Sequence, residues 1–324
     1  MALGASAALC AAVSLLSALQ PDACAAVLVL PRWVWLAPGL LLVAVGWRQK
    51  GKRYAGTIAA LWLVYAVLYV EEIASLARWR GRRQAEWQSA RARGEALRVI
   101  SLNCGGGDPK AAAEMAGYQP DIVLLQESPP RSDVEQLATQ FFGAEAGVLC
   151  GLDASIIVRG QLAPVGVTLS RDVNFAQARV RLTSGLEVEV ISVRLPPLYD
   201  VRMDLWSPAC WRAQAAARRT VRQLMVELAR RVEAIPRTVP IIVGGDFNAP
   251  GRDGPFRVLG PRLHDAFAEG GLGWGNTLLN ELPVVRIDQI WLSGDFRALS
   301  VVARRTLHSD HRAVVCDLVD VRNP

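Results

Sequence analysis

The stretch Ile241-Ile242-Val243-Gly244-Gly245-Asp246-Phe247-Asn248 is a short apolar β-branched run that breaks on two glycines and ends on an acid and an amide. Such a run reads as a buried strand whose end carries polar side chains. Taken alone, Asp246 and Asn248 fit an Asx turn after that strand. The same arrangement recurs elsewhere in the chain. Asn103 follows Val99-Ile100-Ser101-Leu102, and Gln126-Glu127 follows Ile122-Val123-Leu124-Leu125. Asp288 lies within Arg286-Ile287-Asp288-Gln289-Ile290, and Ser309-Asp310-His311 precedes the apolar run that starts at Ala313. Strand ends are where sheet proteins build sites, because the strand holds the backbone while the side chain faces a cleft.

The surrounding pattern is one of short strands. Leu97 to Leu102, Ile122 to Leu125, Ala154 to Val158, Glu187 to Val193, Ile241 to Val243, Ile287 to Leu292 and Ala313 to Leu318 are bounded by turn residues. Between Trp206 and Ala234 apolar residues recur at helical spacing among arginines and glutamines, which predicts an amphipathic surface helix. This balance suits two packed sheets flanked by helices, an α/β class. The polar residues at the strand ends are oxygen donors plus one imidazole, a set that suits Mg2+ or Mn2+. A phosphoester would supply further oxygens to such an ion.

With these five motifs in place, the chain resembles the endonuclease/exonuclease/phosphatase superfamily, which includes DNase I-like nucleases, abasic-site endonucleases, sphingomyelinases and inositol polyphosphate 5-phosphatases. The resemblance runs from about Leu97 to Val319, with LNC, QE, GDFN, RID and SDH in the family's order. Each motif is weak singly; their order makes them specific. The resemblance implies a four-layer sandwich of two β-sheets covered by helices, with the site at one rim. It implies Glu127 as the principal metal carboxylate, with Asn103 and Asp310 completing or hydrogen-bonding the metal shell. Asp246 would position or deprotonate the attacking water and Asn248 would hold a phosphate oxygen. His311 would contact the scissile phosphate, and Asp288 would accept a hydrogen bond from its other ring nitrogen. One position departs from the pattern. Where the nuclease and sphingomyelinase branches carry a histidine after the strand, this chain has Arg194. A guanidinium can grip a phosphate but does not exchange protons near neutral pH.

The residues before this region are of another kind. No charged residue occurs from Ala2 to Leu19, and apolar blocks follow from Ala23 to Trp47 and from Ala55 to Val70. About 20 apolar residues cross a bilayer, so residues 1–72 read as a transmembrane region of two or three helices. Residues 73–96 read as a basic linker and 97–324 as the catalytic domain. The link Trp47-Arg48-Gln49-Lys50-Gly51-Lys52-Arg53 is cytoplasmic by the positive-inside rule, which puts the domain outside after three spans. Arg78, Arg80, Arg82 and Arg83 pull the other way. The expectation is an integral membrane protein with an extracytoplasmic catalytic domain.

Net charge is +6, which favours anionic partners. The six cysteines lack CxxC pairs and histidines at zinc-finger spacing, which argues against structural zinc. No obligate protein partner is evident. The function expected is metal-dependent phosphoester hydrolysis on a lipid head group or another phosphoester near the membrane. A nuclease acting on DNA or RNA is the first alternative, although the catalytic segment has no compact Lys/Arg stripe interleaved with aromatics. A catalytically inactive phosphate-binding scaffold, for which Arg194 is the evidence, is the second.

Overall fold

The computed structural model describes residues 1–48, 52–78, 81–166, 175–198 and 204–322. Gln49, Lys50, Gly51 and Arg80, which enter the orientation argument, lie outside the described residues. The chain forms two compact units, Met1–Ala77 with Leu198–Thr220, and Arg78–Pro197 with Val221–Pro324.

The first unit holds α1 (Ala2–Leu19), α2 (Ala25–Leu28), α3 (Leu36–Arg48), α4 (Lys52–Tyr69) and α5 (Glu71–Ala77). By length and composition α1 can cross a membrane, with a mean hydropathy of 2.0. Up to three spans result if two bent pairs each count as one, Asp22–Leu28 with Arg32–Arg48 and Lys52–Tyr69 with Glu71–Ala77. Ser6 and Trp62, buried among the apolar helices, have their polar atoms paired, as a low-dielectric setting demands. Ser6 Oγ donates to the Gly39 carbonyl at 2.8 Å, and Trp62 Nε1 donates to Ser6 Oγ at 3.0 Å. The Arg218 guanidinium, on the part of a later helix that belongs to this unit, donates to the Gln20 carbonyl at 2.9 Å and pairs with Asp22.

Among the described residues the second unit has eleven strands: β1 (Ala96–Asn103), β2 (Ile122–Gln126), β3 (Ala146–Leu149), β4 (Ala154–Gly166), β5 (Phe175–Leu182), β6 (Glu187–Arg194), β7 (Ile241–Asp246), β8 (Leu263–Asp265), β9 (Asp288–Ser293), β10 (Phe296–Arg304) and β11 (Ala313–Asp320). Its helices are α6 (Gly81–Ala92), α7 (Pro109–Ala113), α8 (Arg131–Phe142), α10 (Ala266–Gly270) and, from Val221 onward, α9 (Pro208–Ala234). The strands run in the order β10-β11-β1-β2-β4-β5-β6-β7-β9-β8, with β3 also on β4. The two sheets expected from the sequence are thus two halves of one continuous sheet. Strand β4 joins them: Ala154–Val158 pairs with β2, and Gly160–Gly166 pairs with β5. The change of partner falls at Gly160, where a Cβ would lie 2.2 Å from the Arg181 carbonyl oxygen. Only glycine lets the backbones approach that closely.

Side-chain alternation along the strands makes the layers. Val99, Ile122, Leu124, Ile156 and Val158 face a core that they share with Ala178, Val180, Val190, Ile242 and Ile290 of β5, β6, β7 and β9. Ile100, Leu102, Val123, Leu125 and Ile157 point the other way, onto Met115, Val134, Leu137 and Phe142 from α7, α8 and their surroundings. Burial of Val221, Met225, Leu228 and Val232 gives α9 one apolar stripe at helical spacing. The Arg231 guanidinium on that helix lies 5.5 Å from the Phe175 ring of β5. Strands β3, β5, β8 and β10 are additions to the runs expected from the sequence.

Candidate active site

The register of the sheet brings the polar strand ends to one level. In the parallel β6–β7 pair Arg194 lies opposite Asp246, and in the antiparallel β7–β9 pair Asp246 lies opposite Asp288. Asn103 lies opposite Gln126 in the parallel β1–β2 pair. The double glycine of the opening stretch has a local reason: at Gly245 a Cβ would stand 1.9 Å from the Val193 carbonyl oxygen, so β6 and β7 can close there only without one.

Asp246 and Asp288 are both fully or almost fully buried, as is His311. One ligand atom from each of the three lies within 4.8 Å of the others. Like charges opposite each other in a ladder repel, and here the imidazole offsets the repulsion. His311 Nδ1 meets Asp288 Oδ2 at 2.9 Å. Burial alone would lower the basicity of His311, but the charges of Asp288, Asp246 and Asp310 outweigh it and raise the pKa to about 10. Burial, and then the charge of Asp288, raises that of Asp246 to about 7. Asp246 nonetheless accepts three hydrogen bonds, from Asn248 N at 2.9 Å, Asn248 Nδ2 at 3.0 Å and Asn103 Nδ2 at 3.0 Å. The other oxygen of Asp288, Oδ1, is buried with no hydrogen-bond partner, a costly state that a cation or a donor on a ligand would relieve.

Glu127 sits at the more open side of this group, its side chain 29% exposed. It has a positive φ of 42°, an uncommon backbone state for a non-glycine residue that marks functional turns. The Gly106 amide donates to its Oε2 at 2.6 Å, Asn103 Nδ2 to its Oε1 at 3.2 Å, and Arg194 Nη2 to its Oε1 at 3.0 Å. Burial opposes ionisation, but these donors together hold the carboxyl below its ordinary value. Asn103 turns its amide nitrogen to the two carboxylates while its Oδ1 accepts from the Gly105 amide at 3.0 Å. Asp310 is exposed, with Oδ1 against Gly105. The second anchor of Arg194 is Asp153, 3.4 Å from Nη1. Asn248 is strapped to the segment after β6 by Nδ2 donating to the Leu195 carbonyl at 2.8 Å.

All eight residues singled out in the sequence therefore lie around one rim. Several that tie them together were not singled out. Ser101 Oγ donates to Gln126 Oε1 at 3.2 Å and Gln126 Nε2 to Ser192 Oγ at 3.1 Å, a buried chain that joins β1, β2 and β6 beneath Glu127. Ser309 Oγ donates to the Asn103 carbonyl at 2.7 Å, and Thr277 Oγ1 accepts from the Asp288 amide at 3.1 Å. Gln126 and Ser309 were visible as partners in the QE and SDH motifs; Ser101, Ser192, Asp153 and Thr277 carried no signal. The other histidines are held elsewhere, His264 by Glu269 at 3.2 Å and His308 by Glu114 at 2.8 Å. Trp274 Nε1 donates to the Pro283 carbonyl at 2.8 Å.

The model of the Endonuclease/Exonuclease/phosphatase family matches residues 100–311. The chain belongs to that family. The match begins in β1 and ends on His311, so it spans every motif of the rim. Among solved structures, a humanised TDP2 from D. rerio is 17% identical, covering 69% of this chain and 99% of its own, with a TM-score of 0.51. An endonuclease/exonuclease/phosphatase from Bacteroides vulgatus is 15% identical over 69% of this chain and 99% of its own, also with a TM-score of 0.51. D. rerio TDP2 complexed with a single-strand DNA product is 17% identical over 69% of this chain and 98% of its own, with a TM-score of 0.50. At these identities the likeness is one of fold. A search of curated sequences finds no match.

Replacing Asp288 by asparagine removes the charge that holds the imidazole protonated and keeps the side chain's shape. The His311 pKa should fall from about 10 to near or below the ordinary value of about 6.5. Imidazole nitrogen shifts followed against pH in the full chain report this directly, and an unchanged titration would remove Asp288 as the cause.

Proposed function

We propose that the chain is a membrane-anchored hydrolase of phosphoesters that works with a divalent cation. The observation that carries this reading is the buried His311–Asp288 pair beside Asp246, with Glu127 at the open side of the same rim. The donor set fits a hard cation: the rim offers carboxylate and amide oxygens without a thiolate, and Glu127 is exposed enough for the ion to keep the waters that Mg2+ retains. Glu127, with Asp310 and with Asn103 completing or bracing the shell, would hold Mg2+ or Mn2+, which when bound would supply Lewis-acid polarisation of a phosphoryl oxygen.

The chain's own residues do the rest. Asp246, buried and with a raised pKa, takes a proton from the attacking water. Asn248 holds Asp246 in position, and its amide reaches a phosphate oxygen by giving up the Leu195 carbonyl to which it now donates. His311, kept cationic by Asp288, faces the scissile phosphate and stabilises the charge that develops on it. Arg194 lends a guanidinium to the same phosphate. No covalent intermediate is required, because water is the nucleophile.

Anchoring is supported by α1, which is apolar and long enough to span a bilayer. Residues 1–72 serve as the membrane region, 73–96 as a basic linker and 97–324 as the catalytic domain, on the extracytoplasmic side. Tethering raises the effective concentration of a phosphoester held at the membrane, which favours a lipid head group over free nucleic acid. The test is hydrolysis by the full chain in detergent, with Mg2+ or Mn2+, of phosphoinositides, sphingomyelin, DNA and RNA. Cleavage of the lipids with none of the nucleic acids supports the reading, and the reverse result makes the chain a nuclease. Glu127→Gln should lower turnover by at least about 100-fold, the scale expected for losing a group that acts on the transition state; unchanged turnover would take Glu127 out of the site.

The pH profile follows from the two shifted groups. Asp246 must be ionised to accept a proton, so the rate should rise as pH passes about 7. His311 must be protonated, so the rate should fall as pH passes about 10. A rate that rises monotonically above that point would contradict the role of His311. For topology, a reporter fused after Pro324 should be active outside the cytoplasm, and a cytoplasmic signal would reverse the orientation.

A further inference from the structure

The carboxylate assigned to the metal already carries a positive charge of the protein's own. Arg194 Nη2 lies 3.0 Å from Glu127 Oε1, the same oxygen that accepts from Asn103. Yet the guanidinium is loosely held. It meets Glu127 through one nitrogen, its contact with Asp153 is long at 3.4 Å, and its Nε is buried without a partner. Both partners of the main pair are partly open to solvent, with side-chain exposures of 24% and 29%. One-point, partly solvated ion pairs are weak, whereas guanidinium on a phosphate makes two parallel charge-assisted bonds.

These facts conflict with a metal bound first and alone. A divalent ion on Glu127 would share one carboxylate with a fixed guanidinium, and two cations that close repel strongly in a partly desolvated site. A phosphate removes the conflict. It offers Arg194 two oxygens in place of one, and its charge compensates the ion.

We propose that Arg194 is a movable counter-ion that occupies Glu127 in the resting protein and transfers to the substrate phosphate, so that phosphate and metal bind the rim cooperatively. This rests on the reading of Glu127 as a metal ligand. It adds a function for the one position that departs from the family pattern: the metal site stays closed by an internal cation until a phosphate arrives. Asp153 is the outer rest of the guanidinium, and the pairing of Arg194 with Asp246 across β6 and β7 keeps it at the level of the reacting groups in both positions. By linkage, whatever factor phosphate adds to metal affinity, the metal adds to phosphate affinity.

The experiment is Mn2+ binding to the full chain in detergent, read as loss of the free Mn2+ signal in electron paramagnetic resonance, with and without inorganic phosphate. In the unaltered protein phosphate should tighten Mn2+ binding by about tenfold or more, within the usual range of coupling between sites. Arg194→Gln should bind Mn2+ tighter than the unaltered protein without phosphate, and phosphate should then add less than about threefold, the part due to its own oxygens. Arg194→Lys, which keeps the charge but loses the planar fork, should fall between them. Equal Mn2+ affinity and equal response to phosphate in all three proteins would overturn the counter-ion role while leaving the metal site standing. No Mn2+ binding in any of them, with or without phosphate, would overturn both. Glu127→Gln serves as the control, since Mn2+ binding that survives in it would locate the ion elsewhere and also overturn the proposal.

Discussion

Two carboxylates, Asp246 and Asp288, face each other across a buried antiparallel ladder, and the His311 imidazole, paired with Asp288 and close to Asp246, offsets their repulsion. Both acids are buried, and each strand end is fixed by the sheet. The rest of the rim answers to this constraint. Asn248 and Asn103 feed three hydrogen bonds to Asp246, Thr277 holds the Asp288 backbone, and Ser309 ties the loop before His311 to the end of β1. The same repulsion that threatens the fold sets the two pKa values apart, with an acid that gives up its proton late and an imidazole that keeps its own. Pairs of titratable groups pushed apart by their surroundings are what acid–base chemistry near neutral pH needs.

Much of this was legible in the sequence because the signal is local. An apolar β run followed by an acid or an amide is read directly, and the register of short neighbouring strands then brings such ends together. The strands at Ile122, Glu187, Ile241 and Ala313 were expected and are present, and so is the long amphipathic helix that follows Trp206. What escaped depends on partners far along the chain. Strands β5 and β10 mix arginines with apolar residues, so their alternation is blurred, and Glu189 accounts for one of those arginines by pairing with Arg179. The joining of the two sheets through β4 rests on a change of partner at Gly160, which no composition reveals. Buried serines that link the halves, Ser101 and Ser192, are indistinguishable in sequence from any surface serine.

Arg194 shows the limit from the other direction. The sequence locates the departure from the family pattern and leaves its guanidinium free either to grip a phosphate or to pair with an acid. The structure adds that the guanidinium has an acid on each side, Glu127 and Asp153, within the protein itself. Substitution of a proton-exchanging imidazole by a permanent cation changes what the position can do: it no longer moves protons, and it attracts an anion.

On the proposed function, this rim hydrolyses phosphoesters with a divalent cation and with His311 as a protein group that acts on the phosphate. The most direct measurement is release of nitrophenol from a generic nitrophenyl phosphodiester by the full chain, with Mg2+ against a chelator, beside His311→Ala. Turnover should require the metal and be lost in the variant. Turnover that survives both the chelator and the loss of His311 would contradict it.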